Sequence, residues 1–443
     1  MGRITNAFRE RDRTLARETL WSLGQEGASL FATIVSFSLL GRTLGIDGYG
    51  NYASLYAIVA PLGTLAVSGV TLALVQHVIR QSEDLEATAR SCLSMTLCIG
   101  VLLTFVGAGI ASYVVRGLAM SAVFAVLLLE FVSVPCVNIA ASVVQIRDGF
   151  AAATRVRLVP IGFRVAVIVV LWSIGHLSIL TLGATYLVVN ASLAVALLRR
   201  TGRRYGLSAR PGRIQRRHLK SSAIYSAGIS GLSLQNDGDK AVLASYRYQS
   251  DTGLYSAAYR VVQLGLIPVG SLIAVTHFRF LEHEPGRKRQ HLMRSLKYGA
   301  ICAGYGIVFA IGVTLAGPLL TVVLGQSFEG SVTMTRWLAP LVPLRALASF
   351  PLNGLMGLGR TFARTMLLVG SAVVSMALYI ALIPHLQWKG AALGTLIGEG
   401  ALAVAAWGML LFFQNRSDRR VDDFDLTTEM AEIAEIESPS RWR

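Results

Sequence analysis

Long apolar runs, separated at near-regular intervals by short polar stretches, make up most of the chain. A helix that crosses a bilayer needs about 20 mainly apolar residues. Twelve segments reach that length: 19–41, 50–78, 91–113, 118–145, 157–175, 178–198, 221–246, 253–276, 297–317, 331–356, 365–384 and 390–413. The pattern predicts an all-α polytopic membrane protein with about twelve transmembrane helices. Many runs contain Gly, Pro and Ser, which membrane helices use for close approach and kinks. Pro61, Pro135, Pro160, Pro268, Pro340, Pro343 and Pro351 mark the predicted kinks. The first run follows a polar, basic segment and has spanning length, so it reads as a retained helix rather than a cleaved signal.

Polar residues inside the runs are rarer and more informative. The stretch Ile224–Val262 begins and ends apolar, yet carries Asn236, Asp237, Asp239 and Lys240 before Arg247 and Asp251, then Tyr255, Tyr259 and Arg260. Each charge at a bilayer centre costs about 2.5–3.5 kcal/mol or more. These side chains must therefore face protein or water. The stretch reads as the end of span seven, a short turn and the start of span eight.

Composition agrees with a membrane protein: 53% hydrophobic, 15% charged, mean hydropathy +0.55. The net charge of +16 raises the question of nucleic acid, and its distribution answers it. With the N terminus placed in the cytoplasm, only Arg42, Arg116, Arg247 and Lys389 fall in outside turns. Arg164, Lys240, Arg260, Arg336 and Arg345 fall within spans, and the rest of the 41 Lys and Arg lie on the inside. Such asymmetry is the positive-inside signal of both termini in the cytoplasm, so no nucleic-acid partner is expected. The outside turns are too short to hold a catalytic domain. Cys92, Cys98, Cys136 and Cys302 lie within apolar runs without metal-ligand spacing and read as packing residues.

The charge pattern also divides the chain. Residues 1–18 form a cytoplasmic N-terminal segment, 19–198 an N-lobe of six spans, 199–220 a basic cytoplasmic linker, 221–413 a C-lobe of six spans, and 414–443 a cytoplasmic tail. The linker RRTGRRYGLSARPGRIQRRHLK reads as a topology signal on a solvated loop, or as a surface for anionic lipid headgroups. The tail turns from basic to acidic and is expected to be disordered. The lobes look like repeats. Gly50-Asn-Tyr52-Ala-Ser-Leu-Tyr56 opens span two, and Gly253-Leu-Tyr255-Ser-Ala-Ala-Tyr259 opens span eight. Both follow an acidic turn residue, Asp47 or Asp251. Parallel repeats place a binding site between them.

An ionisable residue within a span is a functional candidate with a partner to be named. Glu130, Arg164, Arg345 and Glu399 fall near mid-span in spans four, five, ten and twelve. Glu130 with Arg164 and Arg345 with Glu399 are the predicted pairs; alternatively, the arginines face substrate phosphate, whose geometry a guanidinium matches. Asp239, Lys240 and Arg260 fall at similar depth on adjacent antiparallel helices, and Asp237 is an i,i+3 partner of Lys240. Structural clamp and substrate or coupling-ion site are both open for this group. Glu26 is a weaker candidate near the cytoplasmic entrance. Arg336 reads as a snorkelling residue, and the tyrosine pairs Tyr52/Tyr56 and Tyr255/Tyr259 as interface-belt and packing residues or, alternatively, as rings that stack on sugars. His77, His277 and His283 lack metal-like spacing and receive no role. No P-loop, nucleophile elbow or metal-ligand cluster is found, so no cofactor, no metal and no enzymatic activity is expected, and transport energy is expected from an ion gradient, the membrane potential or product withdrawal.

The segment GRTLGIDGYGNYASLYAIV at 41–59 resembles the region after the first helix of polysaccharide-export flippases. Asp239-Lys240-Ala-Val-Leu243 with Gly253-Leu-Tyr255-Ser-Ala-Ala-Tyr259-Arg260 resembles a second family region, Leu324-Gly325-Gln-Ser-Phe328 a third and Gly390-Ala-Ala-Leu-Gly394 a fourth. The chain thus resembles the oligosaccharide flippase (Wzx-like) family of the multidrug/oligosaccharidyl-lipid/polysaccharide exporter superfamily. Ala244-Ser245 departs from relatives that commonly carry Gly after Leu. The resemblance implies two six-helix lobes around a central cavity, alternating access, and a lipid-diphosphate-linked glycan as substrate in the bacterial cytoplasmic membrane. It implies membrane lipids, glycan-assembly proteins and a coupling ion, H+ or Na+, as partners. Rival readings are a drug/cation antiporter of the same superfamily, a membrane glycan polymerase or ligase, and a non-transporting scaffold.

Overall fold

The first two predicted spans form α1 (Gly2–Ile79), bent at Gly45. Gly45 has φ 67° and ψ −173°, a conformation open to a residue without Cβ. The two spans therefore meet at one glycine rather than across a loop. The structure is a computed structural model that describes residues 2–79, 82–115, 117–208, 210–281, 288–317, 321 and 325–415. The Glu26 side chain, the side chains of His277 and His283, and the tail beyond residue 415 lie outside the described residues.

Helix α2 (Leu85–Val114) starts where the Asp84 carboxylate accepts the Ala87 amide at 2.8 Å, a side-chain N-cap. Span four is α3 (Met120–Leu128), one π-helical turn (Leu129–Ser133) and α4 (Val134–Asp148). α5 (Phe150–Ser173) and α6 (Ile179–Tyr205) follow, the latter opened by a Ser178/Thr181 capping box. Next come α7 (Arg216–Ser245), α8 (Gln249–Leu281) and α9 (Lys288–Leu315). Span ten is broken at Ala339–Pro340 into α10 (Gly330–Leu338) and α11 (Leu341–Gly357). α12 (Thr361–Leu386) and α13 (Trp388–Asn415) complete the described chain. Pro61, Pro160, Pro268 and Pro351 stay inside continuous helices, and Pro340 accompanies the one predicted kink that interrupts its helix.

Among the described residues, nine helical segments are long and apolar enough to cross a membrane. Gly27–Ile79 counts once yet has 53 residues and holds two predicted spans. α7, crossed by Asp237, Asp239 and Lys240, is not among the nine, and α10 and α11 are each too short to cross alone. With these accounted for, every predicted span lies on helix, and among the described residues there is no strand. The chain is an all-α, multi-pass membrane protein. Large apolar side chains stand outward, as a lipid solvent permits: Phe105 is 64% exposed and Val308 69%.

The chain divides into two compact units. The first takes in the chain to Ser233 and the second runs on from Leu234. The first unit packs Leu74, Leu93, Met95, Cys92, Cys136 and Val143 in one apolar cluster. Here Gly100 of α2 faces the π turn so closely that a Cβ would stand 2.2 Å from the Phe131 carbonyl oxygen. The second unit centres on Tyr255, Tyr259, Tyr379, Phe350 and Cys302.

The basic linker keeps its arginine side chains exposed while its backbone is anchored. Its backbone lies along the start of α2: the Gly212 amide donates to the Arg90 carbonyl at 3.1 Å and the Gln215 amide to Ser91 Oγ at 3.2 Å. Next to it, Glu83 receives hydrogen bonds from His77 and His218. Burial raises the Glu83 carboxyl, but those two hydrogen bonds hold it below its ordinary range, while burial pushes the His218 imidazole down.

Candidate functional site

Helix α7 brings the charged stretch into the second unit. Asp237 and Lys240 share a face at i,i+3, and Lys240 Nζ lies 3.2 Å from Asp237 Oδ1 and 3.2 Å from Asp239 Oδ1. It also donates to the Asn236 carbonyl at 2.6 Å. Asp239 is fully buried, and its second oxygen accepts from Tyr255 at 2.8 Å and from Thr395 at 3.3 Å. Tyr379 meets the same Thr395 hydroxyl at 3.1 Å. A buried carboxylate needs such partners, because an unpaired one costs several kcal/mol. Three helices, α8, α12 and α13, thus converge on the α7 carboxylate.

Tyr255 and Tyr259 stand one turn apart on one face of α8. Lys240 Nζ sits 3.6 Å from the centre of the Tyr259 ring, a cation–π contact. Arg345 of α11 lies beside the same tyrosine and donates to Glu399 of α13, with Nε at 2.9 Å and a terminal nitrogen on the same oxygen. Asp237, Asp239, Lys240, Tyr259, Arg345 and Glu399 therefore form one connected group inside the second unit. Arg260 does not join it. Next to Tyr259 on the helix, it faces outward, exposed, and reaches Gln263 Oε1 at 3.4 Å.

The first unit has its own group. Tyr56 donates to Glu130 Oε1 at 2.9 Å, and Arg164 donates to Tyr52 at 3.2 Å. The Arg164 guanidinium also stands 5.9 Å from the centre of the Tyr56 ring. Glu130 and Arg164, predicted as a direct pair, are instead joined through two tyrosines. Glu130 lies in the π-helical turn, and such turns recur at functional sites. Tyr52, Tyr56, Leu129, Arg164, Leu182 and Tyr186 line a small pocket here.

Residues 15–278, more than half of the chain, match the family model described as polysaccharide biosynthesis protein. The chain belongs to this family. Among curated proteins, none matches it significantly. As a polysaccharide biosynthesis protein it shares its fold with solved transporters. A multidrug resistance MATE family transporter of the MOP superfamily, solved inward-facing, superposes with TM-score 0.67 at 15% identity, over 86% of this chain and 94% of that one. The MATE multidrug transporter DinF-BH gives TM-score 0.60 at 14% identity, over 91% and 96%. A MOP superfamily transporter from Pyrococcus furiosus, described by the reverse polarity of its binding pocket, gives 0.57 at 14%, over 90% and 92%. At these identities the likeness shows the fold.

Sequence reasoning misses the polar partners of the tyrosines of this family member. The repeated G-x-Y-x-x-x-Y motif reads as interface belt and packing; Tyr52, Tyr255 and Tyr259 are indeed packed and buried, but in addition Tyr56 and Tyr255 each donate to a carboxylate, while Tyr52 and Tyr259 each face a cation. A signal was available: in each half, charges placed within spans must find partners, and a tyrosine hydroxyl on a neighbouring helix can supply one. Thr395 gives no such signal, being an ordinary residue of an apolar run.

Proposed function

We propose that this protein is a flippase that carries a lipid-linked, diphosphate-bearing oligosaccharide or polysaccharide precursor across the bacterial cytoplasmic membrane by alternating access. The observation that carries the reading is the Arg345 guanidinium, held near mid-span on Glu399 and followed, across the Tyr259 ring, by Lys240. A charge in that position is costly and is kept where it meets substrate or ion. The planar guanidinium matches phosphate oxygens, and its carboxylate partner fixes its orientation in advance. Family membership supports a glycan, and the buried cations support an anionic carrier. Arg164, held between Tyr52 and Tyr56, is the corresponding basic group of the first unit. Arg260 offers a further, exposed cation. The carboxylates Asp237, Asp239, Glu130 and Glu399 are the candidates for coupling to H+ or Na+. A drug/cation antiporter calls for a cavity dominated by acids and aromatics, and the basic groups within these spans favour an anionic substrate instead.

Two measurements test this. Proteoliposomes containing the pure protein and a fluorescent, diphosphate-linked lipid glycan should expose the label to an outside quencher faster than protein-free vesicles; equal rates overturn the function. In cells lacking their own flippase, Arg345→Ala combined with Glu399→Gln, which leaves no charge unpaired, should insert, fail to export glycan and leave precursor on the inner leaflet. Normal export by the well-inserted double variant removes Arg345 from the site.

A further inference from the structure

His77, Glu83 and His218 are remote in sequence and meet at one point of the first unit, their ligand atoms all within 4.8 Å of one another. His77 lies in the last turn of α1, Glu83 in the connection to α2, and His218 in the first turn of α7. Nδ1 of His77 is 3.0 Å from Oε1 of Glu83, and Nε2 of His218 is 2.9 Å from Oε2. Both imidazoles are buried, at 2% and 0% exposure. Their remaining nitrogens are also held: His77 Nε2 is 3.1 Å from Ser221 Oγ, and His218 Nδ1 is 3.0 Å from Ser91 Oγ.

We propose that His77, Glu83 and His218 form a binding site for a divalent transition-metal ion of the zinc type. Two imidazole nitrogens and one carboxylate oxygen are a donor set that zinc takes at about 2.0–2.2 Å, with a fourth position for water. Ligands at that bond length stand roughly 3.3–3.5 Å apart around a tetrahedral ion. The two imidazoles meet different oxygens of Glu83, at 3.0 and 2.9 Å, so the carboxylate must turn to offer one oxygen and the imidazoles, whose ligand atoms lie within 4.8 Å of one another, must draw in around the ion. No proton need be lost. Each imidazole passes the proton it shares with Glu83 to its other nitrogen, freeing a lone pair for the metal.

The serines make that shift feasible. A hydroxyl either donates to an imidazole nitrogen or accepts from an imidazole N–H. Ser91 Oγ already accepts the Gln215 amide and has a second lone pair to offer. A metal-bound histidine fixes its tautomer through such an outer partner, and both histidines have one. The opposing charge is Arg217, whose guanidinium lies 3.0 Å from Glu83 Oε1. Its side chain is 60% exposed and is free to turn into solvent. A bound ion would clasp the end of α1, the connection to α2 and the start of α7, independently of any substrate.

The test uses the full-length protein, purified without a histidine tag in detergent, stripped with a chelator and titrated with Co2+ and then Zn2+. One Co2+ per chain should bind with visible d–d absorption and be displaced by Zn2+. Glu83→Gln and His218→Gln should weaken binding about 100-fold or more, and Ser91→Ala about 10- to 100-fold. Arg217→Ala should tighten it. The site is overturned if the folded wild type takes up no stoichiometric Co2+, or if binding is unchanged in His218→Gln. Should the buried His218→Gln fail to fold, the surface variant Arg217→Ala and the mild Ser91→Ala decide: unchanged affinity in both overturns the site.

Discussion

Arg345 donates to Glu399 through two of its nitrogens, Nε and one terminal nitrogen, and both reach the same carboxylate oxygen. The Glu399 side chain is 5% exposed and that of Arg345 20%. A pair this deep is most costly when one partner is removed, because the other is left charged and desolvated, at about 3–5 kcal/mol. Glu399→Gln should therefore lower the melting temperature in detergent, and Arg345→Ala with Glu399→Gln should recover most of the loss. The double variant should still fail to export glycan if Arg345 meets the substrate. A stability assay and an export assay on the same two variants separate the two roles.

The tyrosine hydroxyls can be weighed against each other. Tyr255 serves Asp239, which is fully buried, and Tyr56 serves Glu130, which is partly exposed. A hydrogen bond to a charged group contributes about 1.5–3 kcal/mol. Tyr255→Phe should cost toward the upper end of that range and Tyr56→Phe toward the lower. Thermal unfolding of the two single variants checks the order; a larger loss in Tyr56→Phe would contradict it.

Much of this architecture is legible in the residues, and the exceptions have physical reasons. Span lengths follow from bilayer thickness, so the apolar runs place the helices. Arg345 and Glu399, 54 residues apart, are among the few charges near mid-span and each had few choices of partner. Glu130 and Arg164 had equally few, yet tyrosine hydroxyls intervene, and a tyrosine in an apolar run announces packing and hydrogen bonding alike. Glu83 and His218 are separated by 135 residues, and nothing in local spacing ties them together. The linker's docking on α2 is carried by backbone groups, Gly212 and Gln215 amides, which leave no trace in side-chain pattern.

Gly100 offers a sharp packing test. A Cβ there would meet the Phe131 carbonyl oxygen at 2.2 Å and Val132 Cγ2 at 2.9 Å, both in the π-helical turn that carries Glu130. Backbone cannot rotate away as a side-chain tip can, so the helices must part. Overpacking of this kind costs about 1–3 kcal/mol or more. Gly109 lies on the same helix, and a Cβ there meets nothing within 4 Å. Gly100→Ala should reduce the yield of monodisperse protein and Gly109→Ala should not. Equal yields would show that α2 does not approach the π turn this closely.

The orientation of the chain rests on charge alone and is open to direct labelling. Lys and Arg crowd the connections assigned to the inside, above all Arg199, Arg200, Arg203 and Arg204 at the end of α6 and Arg210, Arg213, Arg216 and Arg217 beyond it. The turn between α7 and α8 holds only Arg247. Moving so many cations across the membrane during insertion is opposed, so the linker should stay in the cytoplasm. Asp251 lies in the first turn of α8, beyond the other end of α7. Cys92, Cys98, Cys136 and Cys302 must first be replaced, since Cys98 is exposed. In that background, a membrane-impermeant maleimide added to intact cells should label Asp251→Cys and leave Arg210→Cys untouched until the membrane is opened. The reverse pattern would invert the topology, and labelling of both from outside would remove α7 from the membrane.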